Sequence, residues 1–502
     1  MEGTAMKLTF LGAGSTIFAR NVIGDCMCSE VLRDSVFALY DIDGARIEES
    51  RTILEAIRKN CGGYGRIECY VGEENRKAAL KDADFVVNAI QVGGYDPCTI
   101  IDFEIPKKYG LQQTIGDTLG IGGIMRALRT IPVMQDFAND MAEVCPNALL
   151  LNYTNPMAML SGYMQRYTPI QTVGLCHSVQ VCSEGLLKAL GMEDKLEGRK
   201  ELIAGINHMA WLLEIKDKNG VDLYPEIKSR VDAYLAKPDA TDKVRMDYIK
   251  HFGYYCTESS EHNAEYNMFY IKSKYPELIQ RYNIPIDEYP RRCINQIDGW
   301  RKEYEEILEK GVKEHTRSHE YASRIMEAIV TGNPYQIGGN VLNTGLIDNL
   351  PADACVEVPC LINGNGYVIK NLRIHADVTE ALKPHLLTKN DGTVKLLRTP
   401  DTTALLVGLF ATQEPIHLQI INVGLENCEI NIIGSDIQLF NGTSNANKDL
   451  DVLIELCDRI IVISNGKIVA DAKTQELSTV LSGQGQLMLE VEGTASEVSS
   501  AL

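Results

Sequence analysis

The sequence predicts an α/β protein: a doubly wound, mainly parallel sheet over residues 1–175, an α+β domain over 176–366, and a C-terminal region of different character over 367–502. Three stretches carry that prediction. "KLTFL" (Lys7–Leu11) runs straight into "GAGST", "SVFALYDID" ends in Asp41 and Asp43, and "ADFVVNAIQVGG" (Ala83–Gly94) ends in a glycine turn. Each is a short apolar run closed by glycine or carboxylate, with helical patterning around it. Strands alternating with helices build a parallel sheet covered on both faces.

The first element is the most informative. Gly12 and Gly14 permit a tight turn and a close backbone approach, and the helical pattern through Asn21 and Val22 then offers N–H groups to a pyrophosphate. The third glycine of the dinucleotide fingerprint is missing, since position 17 is Ile. The second strand supplies a carboxylate, Asp41, suited to the two hydroxyls of an adenosine ribose and unfavourable to the extra phosphate of NADP. The gap from Gly12 to Asp41 exceeds the usual spacing of about 20 residues, which requires a longer first helix or loop. The third strand ends where a nicotinamide ribose would lie. These features predict a Rossmann-like NAD site with Gly12, Gly14, Ser15, Thr16, Asp41 and Gln91 as the candidate contacts.

Composition bounds the rest. A chain of 502 residues with 45% hydrophobic content can bury more than one core. A net charge of −19 argues against broad binding to nucleic acid or an anionic membrane surface. No apolar run reaches the ~18 residues of a membrane-spanning helix. The N-terminal stretch lacks a basic region and cleavage signature, and 14 irregularly spaced cysteines read as free thiols of a reducing cytoplasm.

Polar signals crowd the middle of the chain. "QTIGDTLGIGGIMRALRTIP" (Gln113–Pro132) is a glycine-rich loop that carries Asp117 and opens a helix bearing Arg126 and Arg129. "LLLNYTNPMAM" is a buried strand ending in Asn152 and Asn155, with Pro156 at a helix start. Asn155 is the candidate for holding substrate hydroxyls, and Asn152 reads equally as a cap. "VGLCHSVQ" ends the next strand, and His208 follows 32 residues after Cys176, in "GINHMAW". A thiolate and an imidazole from separate strand ends can hold a divalent metal in an open site, although single buried Cys and His residues are common without one. In "YYCTESSEHNAEY" (Tyr254–Tyr266), Glu258, Glu261, His262 and Glu265 fall near one face at helical spacing, as a solvated acidic helix start also would.

In order, "GAGST", "YDID", "QVGG", "QTIGDTLGIGGIMRALRTIP", "NYTNPMA", "LCHS", "GINH", "TESSEHNAEY" and "VPCLINGNG" closely resemble glycoside hydrolase family 4 over residues 6–366. "CHS" with "TESSEHNAEY" is most similar to its α-galactosidase (melibiase) branch, whereas members acting on phosphorylated sugars tend to carry Asp or Asn where His177 stands. The resemblance implies a fold akin to lactate and malate dehydrogenases, NAD, a divalent metal that is usually manganese, and a reducing requirement. It also implies a route other than the two-carboxylate one. NAD takes hydride from sugar C3, the ketone acidifies the C2 proton, a base removes it, the C1 group is eliminated, water adds, and the hydride returns. Cys176 and His208 are the implied metal ligands. His177 follows the metal cysteine, where relatives place the acid at the leaving oxygen. Asp117 corresponds to the carboxylate supporting the base and Asn155 to a substrate-holding asparagine, with Arg126 and Glu261 as further substrate contacts. Relatives use a tyrosine as base in the segment read as Tyr254–Tyr255, with His262 and Glu261 as rivals. Members are usually oligomers, so a homo-oligomer is implied for this chain.

After Gly366 the resemblance stops. Alternation around "IHLQIINV" and "CEINIIG" is β-like, and "SNANKD" reads as a linker. "CDRIIVISNGKIVADAKTQEL" (Cys457–Leu477) resembles a piece of an ABC-transporter ATPase, within about residues 450–490, with an Asn-Gly hairpin between two strands. The chain has no phosphate-binding G-x-x-x-x-G-K-[ST] loop, so no ATPase can be assembled, and a fusion or altered gene end is the simpler source. The reading is thus an NAD- and metal-dependent hydrolase of small α-galactosides. Cleavage of another α-glycoside, glucoside or uronide, an NAD-dependent hydroxy-acid dehydrogenase, or a non-catalytic NAD-binding protein stand as alternatives.

Overall fold

The computed structural model describes residues 5–311 and 314–364, and beyond these the backbone of short strands only. One sheet organises the described residues. Its strands are β1 (Lys7–Leu11), β2 (Val36–Asp41), β3 (Arg66–Val71), β4 (Phe85–Asn88), β5 (Leu149–Asn152), β6 (Thr172–Leu175), β7 (Lys200–Ile206), β8 (Met209–Lys216), β9 (Tyr255–Cys256), β10 (Tyr335–Leu342), β11 (Cys355–Asn363) and β12 (Gly366–Ile369). The order is β3-β2-β1-β4-β5-β6-β10-β11-β7-β8-β9, with β12 also paired to β11.

The first six strands of that order are all parallel. They are apolar on both faces because helices cover both: β2, β4, β5 and β6 are buried almost throughout. The crossover direction reverses between β1 and β4, the switch point at which doubly wound sheets bind ligands. From β6 onward the pairing becomes antiparallel. A parallel half therefore continues into an antiparallel half without a break, the α/β-then-α+β architecture that the sequence predicts. β12 extends the sheet past Gly366, where the motif resemblance ends.

Local chemistry accounts for the elements nearest the switch point. Asp43 caps the helix Gly44–Asn60 by accepting from the amides of Ala45 and Arg46. The helix Gly120–Val144 begins on the glycine-rich loop and buries Ala127, Met134, Phe137 and Met141 along one stripe. Of the C-terminal expectations, the two strands Arg459–Ser464 and Lys467–Lys473 pair antiparallel as a hairpin. The rest of the ABC-like resemblance and the "SNANKD" linker lie outside the described residues.

Candidate active site

The glycine loop sits at the C-terminal end of β1. Gly12 has φ +83°, and a Cβ there would lie 2.7 Å from the Ala89 carbonyl oxygen, so only glycine fits. Asp41 reaches this loop from β2: its Oδ2 accepts from the Gly14 amide at 2.7 Å and its Oδ1 from the Asp43 amide at 3.1 Å. Ser15 and Thr16 lead into the helix Thr16–Met27. Gln91 follows β4 and donates through Nε2 to Thr99 Oγ1 at 3.0 Å. Five of the candidate cofactor contacts thus stand at the ends of β1 and β2, and Gln91 just beyond β4.

Across the sheet end, β6 closes on Cys176 and the β7–β8 turn closes on His208. Cys176 Sγ and His208 Nε2 are 3.2 Å apart, and the Ser178 amide, at the start of the helix Ser178–Ala189, donates to the same sulfur at 3.5 Å. His208 is 2% exposed and has φ +65°, an uncommon backbone for a residue with a side chain. Its Nδ1 lies 3.3 Å from the Tyr266 hydroxyl, a partner able to fix the tautomer. Glu258 Oε2 lies 3.3 Å from His208 Nε2, and Glu258 Oε1 lies 3.5 Å from His262 Nδ1. His262 Nε2 is 3.8 Å from Asp117 Oδ1. Two overlapping groups could each hold a metal ion, Cys176–His208–Glu258 and Asp117–His208–His262, their ligand atoms all within 4.8 Å of one another.

The electrostatics follow from this packing. Burial works against a charged His208, but the charges of Cys176 and Glu258 outweigh it and push the imidazole up to about 10. Burial likewise opposes ionisation of Glu258, yet His262 and His208 hold its carboxyl down at about 2. His262 is pulled below the usual imidazole value, chiefly by burial. Metal-free, His208 keeps a proton that a divalent ion would replace. A soft sulfur, an imidazole and hard oxygens suit a borderline divalent ion.

The glycine-rich loop reaches the cluster through Asp117. Asn155 Nδ2 donates to Asp117 Oδ2 at 3.3 Å, Arg126 Nε donates to the Asn155 carbonyl at 3.2 Å, and Arg126 Nη1 lies 3.4 Å from the Tyr289 hydroxyl. The Asn155 side-chain oxygen is buried with no donor, available to a bound hydroxyl. The loop itself is clamped by Glu265, whose carboxylate accepts from the amides of Thr114 (2.7 Å), Ile115 (3.2 Å) and Gly116 (2.8 Å).

His177 points away from its neighbour Cys176. Its Nε2 is 2.7 Å from Glu320 Oε2, and its ring stacks on Tyr153 at 5.9 Å and meets Phe18, on the helix after the glycine loop, edge-on at 6.3 Å. It therefore lies between the nucleotide loop and the cluster, with its side chain 43% exposed.

The structure does not bring every candidate together. Tyr255 is fully buried on β9, its hydroxyl donates to Asp242, and it packs in a hydrophobic cluster separate from the cysteine and histidines. Tyr254 packs edge-on against Tyr224, with Lys228 near its ring. The two-residue strand fixes Tyr255 there and Tyr254 lies just before it, so the structure sets this expected pair of bases apart from the cysteine and histidines. Glu261 turns outward to Arg292 at 3.5 Å and contributes its carbonyl to Thr114 Oγ1. Asn152 is structural, bonded to Asn88, Ser161 and the Thr154 amide. Sequence reasoning missed three residues. Glu258 lies outside the short helix Ser260–Glu265, at φ +63°, and helical spacing gave its neighbour His262 but not its contact with His208. Glu320 comes from a distant segment and carried no signal. Glu265 read as a member of an acidic face, whereas it is buried against amides.

Residues 7–192 match the model of the family 4 glycosyl hydrolases, and residues 203–387 match that family's C-terminal domain, past the limit set by the motifs. An α-galactosidase of Bacillus subtilis (strain 168) is 59% identical over 355 residues, covering 71% of this chain and 81% of the relative. An α-galactosidase of Rhizobium meliloti (strain 1021) is 36% identical over 376 residues, covering 72% and 74%. Among solved structures, a 6-phospho-α-glucosidase from gut microorganisms in complex with NAD and Mn2+ is similar in fold, with a TM-score of 0.60 at 21% identity over 76% of this chain and 87% of the other.

Proposed function

The chain belongs to family 4 of the glycosyl hydrolases, and from that premise we propose that it hydrolyses small α-galactosides with NAD and a divalent metal, manganese, as cofactors. The observation that carries this reading is the meeting of a Cys176–His208 pair with Asp117, Asn155 and His262 at one end of the sheet. The likeness to α-galactosidases supports the galactoside over other glycosides.

The residues present fit both groups. Gly12 leaves room that a Cβ would fill, and Asp41 stands at the loop where a ribose would be met. Cys176 and His208 offer the donors a divalent ion needs, with Glu258 beside them. When bound, NAD accepts and returns the hydride of sugar C3, and the metal acts as a Lewis acid toward oxygens at C2 and C3. The chain's own side chains do the rest. Asn155 and Arg126 orient the sugar from the loop side. His262, buried and favoured in its neutral form, with Asp117 3.8 Å away, takes the C2 proton. His177, held by Glu320, gives a proton to the leaving oxygen. Water addition completes the cleavage, and the net reaction would be hydrolysis. We place the enzyme in the cytoplasm, as a homo-oligomer with neither nucleic acid nor membrane as partner. No helix among the described residues is long and apolar enough to cross a membrane.

A panel of nitrophenyl α- and β-glycosides, assayed with and without NAD and manganese under thiol, tests the reading. Release from the α-galactoside that needs both additions and accumulates no NADH is expected. NADH accumulating on a hydroxy acid, or no turnover despite measured NAD binding, would overturn it.

A further inference from the structure

We propose that Glu258 is a third protein ligand, so that Cys176, His208 and Glu258 form a three-ligand face whose remaining positions are open to substrate oxygens. This rests on the metal reading above and adds a residue to it. His208 Nε2 sits between the other two donors, 3.2 Å from the sulfur and 3.3 Å from Glu258 Oε2, and all three ligand atoms lie within 4.8 Å of one another. That is the spread expected of atoms that share one ion.

Two further observations point the same way. His208 and Glu258 both hold left-handed backbone, at φ +65° and +63°. Side-chain-bearing residues pay for such conformations, which persist where surrounding structure and function over-determine them. The left-handed residue at 258, two residues past β9, sets the carboxylate beside His208 before the helix Ser260–Glu265 starts. The second observation is charge. Among the described residues the cationic groups within 4.0 Å of the Glu258 carboxylate are the imidazoles of His208 and His262. A thiolate and a carboxylate together cancel the two charges of a divalent ion, and a neutral imidazole adds none. Cysteine and histidine alone would leave a net positive charge in a mostly buried site. Glu258 also explains the choice of metal: a cysteine–histidine pair favours softer ions, and a carboxylate oxygen shifts the site toward manganese.

The test is direct metal titration of the full chain with NAD bound, following free Mn(II) by EPR and Zn(II) by competition with a chromophoric chelator. E258Q is expected to weaken Mn(II) binding about 10- to 100-fold and Zn(II) binding clearly less. C176A should weaken both, Zn(II) more. A loss of fold quality alone would weaken both metals equally in E258Q. Where E258Q fails to fold, E258D, whose shorter side chain retracts the oxygen, must show the same split. Wild-type Mn(II) affinity in E258Q together with loss in C176A would overturn the third ligand and leave the metal reading standing. No Mn(II) binding by the wild type would overturn both.

Discussion

Gly123→Ala isolates how tightly the catalytic loop is held. Gly123 lies in the first turn of the helix Gly120–Val144, and an alanine Cβ there would sit 2.4 Å from the carbonyl carbon and oxygen of Thr118. Ordinary contact starts at 3.4 Å, so about 1 Å must be found. It must come from backbone, since the obstructing atoms are not a flexible side chain. Thr118 directly follows Asp117, so Asp117 shifts with it relative to His262 and Asn155. A misplacement of about 1 Å in a catalytic constellation costs on the order of 100-fold in rate, or about 2.7 kcal/mol of barrier. Stability should fall by no more than a comparable amount. Overpacking costs about 1–3 kcal/mol, and replacing a helical glycine by alanine returns up to about 1 kcal/mol. Gly185→Ala is the control: Gly185 is exposed in the helix Ser178–Ala189 and its added Cβ would meet nothing within 4 Å. G185A should keep full activity and gain a fraction of about 1 kcal/mol. The assays are kcat/KM on nitrophenyl α-galactoside and urea unfolding. G123A with wild-type kcat/KM would refute the reasoning, because the contact would then not hold the loop.

Three further outcomes are expected. Gly12→Ala puts a Cβ 2.7 Å from the Ala89 oxygen at φ +83°, so NAD affinity measured by calorimetry should fall at least about tenfold; unchanged affinity would remove Gly12 from the site. Mn(II) binding at pH 7 should release about one proton, because His208 is held up at about 10 without metal; titration in buffers of different ionisation heat reads this, and zero release would contradict it. Burial pushes the Glu357 carboxyl from 4.5 up to about 7, so the folded state binds its proton more tightly than the unfolded chain does. Its stabilising contribution is present below about 4.5 and lost as pH rises through about 7, at most about 3 kcal/mol. Glu357→Gln should therefore flatten the stability–pH slope between those values, and an unaltered slope would exclude this residue as its source.

Which parts of the molecule could be read from its sequence depended on the range of the cause. Gly12, Asp41, Cys176 and His208 all stand at strand ends, and a strand followed by a turn is a local pattern, so sheet geometry delivers them together. The same logic failed at Tyr254–Tyr255, because β9 (Tyr255–Cys256) is a strand too short to recognise. Tyr255 and Cys256 pair with Leu212 and Trp211 of β8, and Tyr255 belongs to a core. Glu258 failed for a different reason. Helical spacing groups it with Glu261, His262 and Glu265, but one left-handed residue puts it outside the helix, where it keeps His262 as a neighbour and turns its other oxygen to His208. Glu320 could not be found at all, since its meeting with His177 depends on a segment 143 residues away.

The stretch from Thr257 to Tyr266 deserves to be treated as one part, because its residues serve different neighbours from one rigid frame. Thr257 exchanges hydrogen bonds with Ala210 on β8, Ser260 donates to Asp242, and the Asn263 amide ties back to the carbonyls of Thr257 and Ser259. From that frame Glu258 faces His208, His262 faces Asp117, Glu265 clamps the loop that carries Asp117, and Tyr266 meets the far nitrogen of His208. Changes at any two of these positions share partners, so their energies should not add. In particular, Glu265 and His262 both act on Asp117, one through the amides of Thr114, Ile115 and Gly116 just before it and one at its side chain. A double-mutant cycle on kcat between E265Q and H262N should give a coupling of about 0.5–3 kcal/mol. Additive losses would mean that the loop and the helix Ser260–Glu265 position the carboxylate independently, and the frame would then be scaffolding rather than part of the catalytic geometry.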